Sequence, residues 1–223
     1  MGDKMITYED IRRNKEVNAY LKRGSYNLKF LGYTDHSSAH TSMVALRAGY
    51  ILEILGYKAR DIELAKIAGY MHDIGNAINR KNHAEYGALL ADGILKNMDI
   101  SIDERMTIIS AIGHHDESTG GANDPISAAL ILADKTDVRR NRVIVKDEND
   151  FDIHDHVNYA VTSNQLDYDN EKRVLTLMLE VDENICTMYE YFDIFLNRML
   201  MSRKAAELLN VKFSLKVNGV KIL

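Results

Sequence analysis

From residue 36 to about residue 140 the chain reads as one helix after another, and that succession restricts this part of it to a helical bundle. SSAHTSMVALRAGYILEIL carries His40, Val44, Arg47 and Ile51 on one stripe at helical spacing. DIELAKIAGYMHD turns Leu64, Ile67, Ala68 and Met71 to one side, and Gly75 follows as a stop. NHAEYGALLADGIL has Asn82 as its N-cap, with His83, Gly87, Leu90 and Ile94 along one face. SIDERMTIISAIGHH opens with a capping box from Ser101 to Glu104. DPISAALILADKTDV opens with Asp124 as cap and Pro125 at the first helical position, where its missing N–H costs nothing.

Beyond about residue 150 the period changes. RVLTLMLEVD alternates, which places Leu175, Leu177, Leu179 and Val181 on one face of a strand. The preceding VNYAVTSNQLDYD can pair with it through a turn near Asn170. ICTMYEYFDIFLNRMLMSRKAAELL then reads as a long amphipathic helix packed on the sheet or against a second copy of the chain, and Asn218-Gly219 signals a type I′ hairpin. The expected architecture is mainly α. A helical bundle occupies residues 1-145, those before about 30 forming a helical extension, and a small α+β subdomain of ββα-plus-hairpin form occupies residues 146-223.

Composition excludes several classes. No apolar run reaches membrane-spanning length, and MGDKMITYEDIRR is charged almost at once, unlike a secretory signal. The single cysteine, Cys186, precludes an internal disulfide and fits a reducing cytoplasm, and its surroundings read as a buried small hydrophobe. A net charge of −5 argues against general nucleic-acid binding, while leaving room for a small phosphorylated substrate met by a few local cations.

The eight histidines are 36, 40, 72, 83, 114, 115, 154 and 156, and six of them fall in the helical half, near helix ends or on inward stripes. His-Asp occurs three times, at His72-Asp73, His115-Asp116 and His154-Asp155, so the dipeptide alone carries no conclusion. Neutral imidazole with carboxylate suits divalent first-row metals, and helical bundles build such sites from facing helices. Taken in order, His40, His72-Asp73, His83, His114-His115 and Asp134 resemble the metal-ligand series of the HD-domain superfamily, all-helical metal-dependent phosphohydrolases. The resemblance covers roughly residues 34–140, an HD-type bundle, and His83 with the IGHHD pair corresponds to the additional histidines of binuclear members.

That resemblance implies divalent ions, two of them, of Fe, Mn, Ni, Co or Zn. It assigns one to His40, His72, Asp73 and Asp134, and the other to Asp73, His83, His114 and His115. Two such ions ~3.5–4 Å apart clamp a hydroxide and the phosphoryl oxygens, with Asp73 bridging. Lys135 and Arg139, in DKTDVRRNR, are candidate phosphate anchors, or else part of a solvated helix end; Lys135 is also a catalytic candidate. Asp137 orients a histidine or pairs with a nearby arginine. His36, one turn before His40, is an additional ligand, a phosphate contact or a solvent-facing residue. His154 and His156 read as a surface or interdomain segment.

The implied activity is hydrolysis of a phosphoester or phosphoanhydride in a nucleotide-like small molecule by a metal-activated hydroxide. A di-iron oxygenase on the same scaffold, or a non-catalytic metal-containing sensor or scaffold, are the alternatives. HHDESTGGAND lacks the Gly-Tyr-Pro of the cyclic di-GMP phosphodiesterases, and Asn76 stands where those tend to have lysine, which argues against that substrate.

Overall fold

The computed structural model describes residues 5–31, 38–143, 151 and 153–223. Two helices come first, α1 (Tyr8–Arg12) behind a Thr7 capping box and α2 (Lys15–Phe30) capped by Asn14. Then follow α3 (Ser38–Ile54), α4 (Ala59–Met71), a 3-10 turn (Ile74–Ala77), α5 (His83–Leu95), α6 (Ile102–Gly113) and α7 (Pro125–Lys135). The helical caps form where the sequence places them for α7: Asp124 accepts from Ser127 N–H, and Pro125 starts the helix. At α6, Ser101 accepts from Glu104 N–H, but the Glu104 carboxylate leaves the cap to bind Arg60 at 2.6 and 2.9 Å. Charge-assisted two-point pairing with a guanidinium is the stronger contact, so it wins the carboxylate.

α7 is the central helix. Every residue from Ile126 to Lys135 is buried, and α3, α4, α6 and a later helix, α9 (Met188–Leu208), all pack on it. An almost wholly apolar sequence over that length is what such a position requires. Its last turn therefore delivers Asp134 and Lys135 to the interior.

The chain continues through a 3-10 turn (Arg140–Arg142), α8 (Ile153–Ala160), β1 (Val161–Asp169), β2 (Val174–Val181), α9 (Met188–Leu208), β3 (Lys212–Val217) and β4 (Val220–Lys221). The sheet order is β1-β2-β3-β4, with β1 and β2 antiparallel, β2 and β3 parallel across the α9 crossover, and β3 and β4 antiparallel. Leu175, Leu177, Leu179 and Val181 all point into the core, as their alternation predicts, in register with Phe213, Leu215 and Val217. Asn218 and Gly219 both take positive φ, the geometry a two-residue I′ hairpin demands.

Three details differ from expectation. Residues 157–160, read as the start of a strand, are the end of α8; their apolar face (Val157, Ala160) fits either period over so short a run. The third His-Asp pair lies on that helix with Asp155 buried and His156 exposed, so it is not simply a surface segment. α9 begins after a Thr187 capping box, leaving Cys186 buried just outside it with its thiol pushed up to about 11 by burial, then by Glu190. The expected junction near residue 145 lies outside the described residues.

A polar clamp joins β1 to the end of α7. Asn164 Nδ2 donates to the carbonyls of Thr136 (2.7 Å) and Val138 (2.9 Å), and its Oδ1 accepts from Arg47 (2.9 Å), which also donates to Thr136 O (2.9 Å). Asn164→Ala leaves two carbonyls and a half-buried guanidinium short of partners, so chemical denaturation should show a loss of about 2–4 kcal/mol. The exposed neighbour Thr162→Ala should change stability by no more than about 0.5 kcal/mol.

Candidate metal centre

The site is built where helices end. His40 lies in the first described turn of α3, His72 caps α4, Asp73 leads into the 3-10 turn, His83 opens α5, His115 follows α6, and Asp134 closes α7. All six are at most 9% exposed, so the polar nest is enclosed by the bundle core. At the α4 end the backbone leaves helical geometry at Asp73 (φ −97°, ψ 3°), which lets two consecutive side chains face one point. Gly75 makes the approach of α5 possible: a Cβ there would overlap the carbonyl oxygen of His83. Gly87 meets the carbonyl of His72 in the same way, at 3.1 Å from a would-be Cβ.

Six side chains converge. His40 Nε2 lies 3.3 Å from Asp134 Oδ1 and 3.7 Å from Asp73 Oδ2; His72 Nε2 lies 3.4 Å from Asp73 Oδ2 and 3.7 Å from Asp134 Oδ1. On the other side of Asp73, Oδ1 is 3.6 Å from His83 Nε2, which is 3.1 Å from His115 Nε2. The nest thus has two lobes with the Asp73 carboxylate between them.

The ring nitrogens are sorted. His72, His83 and His115 direct Nδ1 at the carbonyls of Gly69 (2.8 Å), Arg80 (3.1 Å) and Ile112 (2.6 Å). His40 directs Nδ1 at Asp137 Oδ2, 2.7 Å away. A carbonyl or carboxylate oxygen only accepts, so each Nδ1 carries the proton and each Nε2 presents a lone pair inward. Lone pairs facing one another and facing carboxylate oxygens at these separations repel unless a cation lies among them. The donor set fits a divalent first-row metal: His40, His72 and Asp134 form one group close enough to hold an ion, and His72, Asp73 and His115 another.

Charge agrees with this. Burial, then the neighbouring rings, pulls His115 down to about 3, and burial followed by Arg80 lowers His83, so both stay neutral. Burial lowers His72 too, but the Asp73 and Asp134 carboxylates outweigh it and raise it. Burial raises Asp134, yet Lys135, then His40 and His72, hold it well below the carboxylate range. A ladder of alternating charge leads away from it: Lys135 Nζ touches Asp134 Oδ2 (2.8 Å) and Glu117 Oε2 (2.5 Å), and Glu117 Oε1 meets Arg198 of α9 (3.3 Å). Asp137 is likewise shared, between His40 and Arg139 (2.5 Å to Nε).

Placement of the remaining candidates is mixed. His114 is exposed, directs Nδ1 to Ser110 O, and lines an apolar pocket of ≈690 Å³ with Leu89 and Met106, so the structure brings His115 and not His114 into the nest. The backbone leaves helical geometry at both pairs, but at the second residue of the first, Asp73 (φ −97°, ψ 3°), and at the first residue of the other, His114 (φ −109°, ψ 10°), so the two pairs present their side chains differently. Lys135 is buried beside Asp134, whereas Arg139 is engaged by Asp137. His36 lies outside the described residues. Sequence reasoning weighed Asn76 only as a departure from the cyclic di-GMP enzymes and missed that it donates to Asp73 Oδ1 (2.8 Å); it also missed Arg80, whose NH1 is 3.2 Å from His83 Nε2, and the Glu117–Arg198 pair. Asn76 and Arg80 lie within the stretch between two motif histidines; Arg198, 81 residues from its partner, left no local signal.

Comparison with known proteins adds two findings. The HD domain family profile matches residues 38–184, more than half of the chain. An uncharacterized protein of Methanocaldococcus jannaschii is 31% identical over 162 residues, which cover 62% of this chain and 61% of that relative.

The His40–Asp137 contact can be tested apart from the ligands. Asp137→Asn replaces the charged acceptor of His40 Nδ1–H, and calorimetric titration of the metal-free protein should show metal affinity reduced about 10–100-fold. Glu16→Gln, on the exposed face of α2, should leave it unchanged.

Proposed function

Because this chain belongs to the HD-domain family, whose members are metal-dependent hydrolases, we propose that it is a phosphohydrolase. Its substrate in this reading is a small, nucleotide-like molecule cleaved at a phosphoester or phosphoanhydride bond. One observation carries the proposal: four imidazoles with protonated Nδ1 and two carboxylates turn their remaining donor atoms toward each other inside a bundle. His40, His72, Asp73 and Asp134 would hold a divalent ion. When bound, such an ion supplies Lewis acidity toward a phosphoryl oxygen and lowers the pKa of water toward about 7.

The chain's own groups do the rest. Asp137 fixes the ring of His40, and the Gly69 carbonyl fixes that of His72, so neither has to reorient. Lys135 keeps its proton: burial lowers its pKa, but Asp134 and Glu117 raise it further, and its charge faces the same interior as the nest. A fixed ammonium beside the ligands favours an anionic substrate and the charge that develops as the phosphorus–oxygen bond breaks. No nucleophilic side chain is required, because water attacks. Cys186, buried and with a raised pKa, is not a competing candidate.

The experiment is a metal-reconstitution assay. Protein stripped with chelator and reloaded with Mn, Fe(II), Co, Ni or Zn is tested, with and without oxygen, on nitrophenyl phosphates and nucleotides. We expect oxygen-independent hydrolysis that chelator abolishes and that Asp73→Ala, losing metal and rate together, reduces by about a hundredfold or more. Full metal occupancy without turnover on any substrate would overturn the proposal, and an absolute oxygen requirement would move the protein to the oxygenase reading.

A further inference from the structure

The second lobe of the nest already has a cation, and it belongs to the chain. Arg80 lies three residues before His83 and holds that ring at both nitrogens: its carbonyl accepts from Nδ1 (3.1 Å), and its guanidinium NH1 lies 3.2 Å from Nε2. Since Nδ1 carries the ring proton, Nε2 is the acceptor and the guanidinium the donor. The same NH1 reaches Asn76 Oδ1 (3.4 Å), and Asn76 Nδ2 donates to Asp73 Oδ1 (2.8 Å). Two of the three donor atoms facing this lobe, His83 Nε2 and Asp73 Oδ1, therefore meet N–H groups of the protein.

The first lobe differs. His40, His72 and Asp134 cluster tightly enough to share an ion; the other such group among the described residues, His72, Asp73 and His115, reuses His72 and takes only His115 from the second lobe, and neither includes His83. His114, which a two-ion arrangement of this kind would use, is turned out to the surface. A divalent ion on His83 Nε2 would also lie against a like-charged, half-buried guanidinium only 3.2 Å from that nitrogen, a range too short for salt to screen the repulsion fully.

The geometry points to Arg80 as the resident positive charge of the second lobe, so that the protein holds one divalent ion tightly and Arg80 stands in place of a second. This rests on the metal-dependent reading above. The substitution has chemical consequences. A guanidinium fork pairs with phosphoryl oxygens and neutralises their charge, but it cannot ionise water. Nucleophile formation then belongs to the first lobe alone, and Arg80 contributes to holding the phosphoryl group.

Metal-free protein titrated with Mn²⁺, by calorimetry and by electron paramagnetic resonance, tests this without any substrate. The wild type should take up one equivalent tightly and show the uncoupled six-line spectrum of isolated Mn²⁺. Arg80→Gln should raise affinity for a second equivalent by at least about tenfold, with an exchange-coupled spectrum, once the competing charge is gone. Arg80→Lys should bind the second no better than wild type, and His83→Ala should keep the first equivalent. Two equivalents of similar affinity with a coupled spectrum in the wild type would overturn the inference while leaving the hydrolase reading intact. An unchanged second-site affinity in Arg80→Gln would overturn it as well. No Mn²⁺ uptake by the wild type would overturn the inference and the metal-dependent reading together.

Discussion

Each buried imidazole of the nest commits its Nδ1–H to a fixed acceptor, and the properties of the site follow from that constraint. Three acceptors are backbone carbonyls at or near helix ends, where the last carbonyls of a helix lack intrahelical partners. Carbonyls near the ends of α4 and α6 thus accept from a ring N–H, that of Ile112 in addition to the backbone N–H of His115 (3.4 Å), and each ring gains a defined orientation. What remains is a set of inward lone pairs and two carboxylates in an apolar bundle. That arrangement is unfavourable by itself, since buried charge without compensation is costly. A sequence that keeps such a conflict at the centre of an otherwise consistent core is best understood through what it binds.

The helical half was readable because its signals are local. Caps at Asp124 and Ser101 and the apolar stripe of α4 depend on residues three or four apart, which one helix turn brings together, whereas Asn82 takes the cap position of α5 without a capping hydrogen bond from its side chain. The convergence of His72 with Asp73 was readable for the same reason, being a matter of adjacency at a helix end. His114 and His115 show where that reasoning stops. Which of two neighbouring histidines points inward depends on the backbone at the end of α6, and a shift of one residue exchanges them. Val157–Ala160 failed similarly, because four residues with two apolar positions fit a helix or a strand. Contacts such as Glu117–Arg198 and Arg47–Asn164 join residues 81 and 117 positions apart and could not be read locally at all.

Those distant contacts explain why the C-terminal elements bear on the site. Asn164 of β1 binds the carbonyls of Thr136 and Val138, just beyond Asp134. Arg198 of α9 holds Glu117, which holds Lys135, which holds Asp134. α9 packs directly on α7, and its Arg198 guanidinium also stacks 4.5 Å over Phe195. The family match reaches residue 184, so it includes β1 and β2 with the helices. The helical bundle supplies the inward donors, and the later elements brace the one helix that carries the distal carboxylate.

Charge alternation through this ladder gives the brace a second effect. Asp134 must stay ionised while largely buried, and burial alone raises its pKa. Lys135 reverses this, but a lone buried ammonium would lose its own proton for the same reason. Glu117 keeps Lys135 protonated, and Glu117 in turn lies well below its ordinary range because Lys135 and Arg198 outweigh its burial. Each charge is stabilised by the next one outward until Arg198, on the helix that joins β2 to β3, completes the series. Ionisation of a carboxylate at the centre of the bundle is thereby linked to the docking of a helix from the sheet-bearing part of the chain.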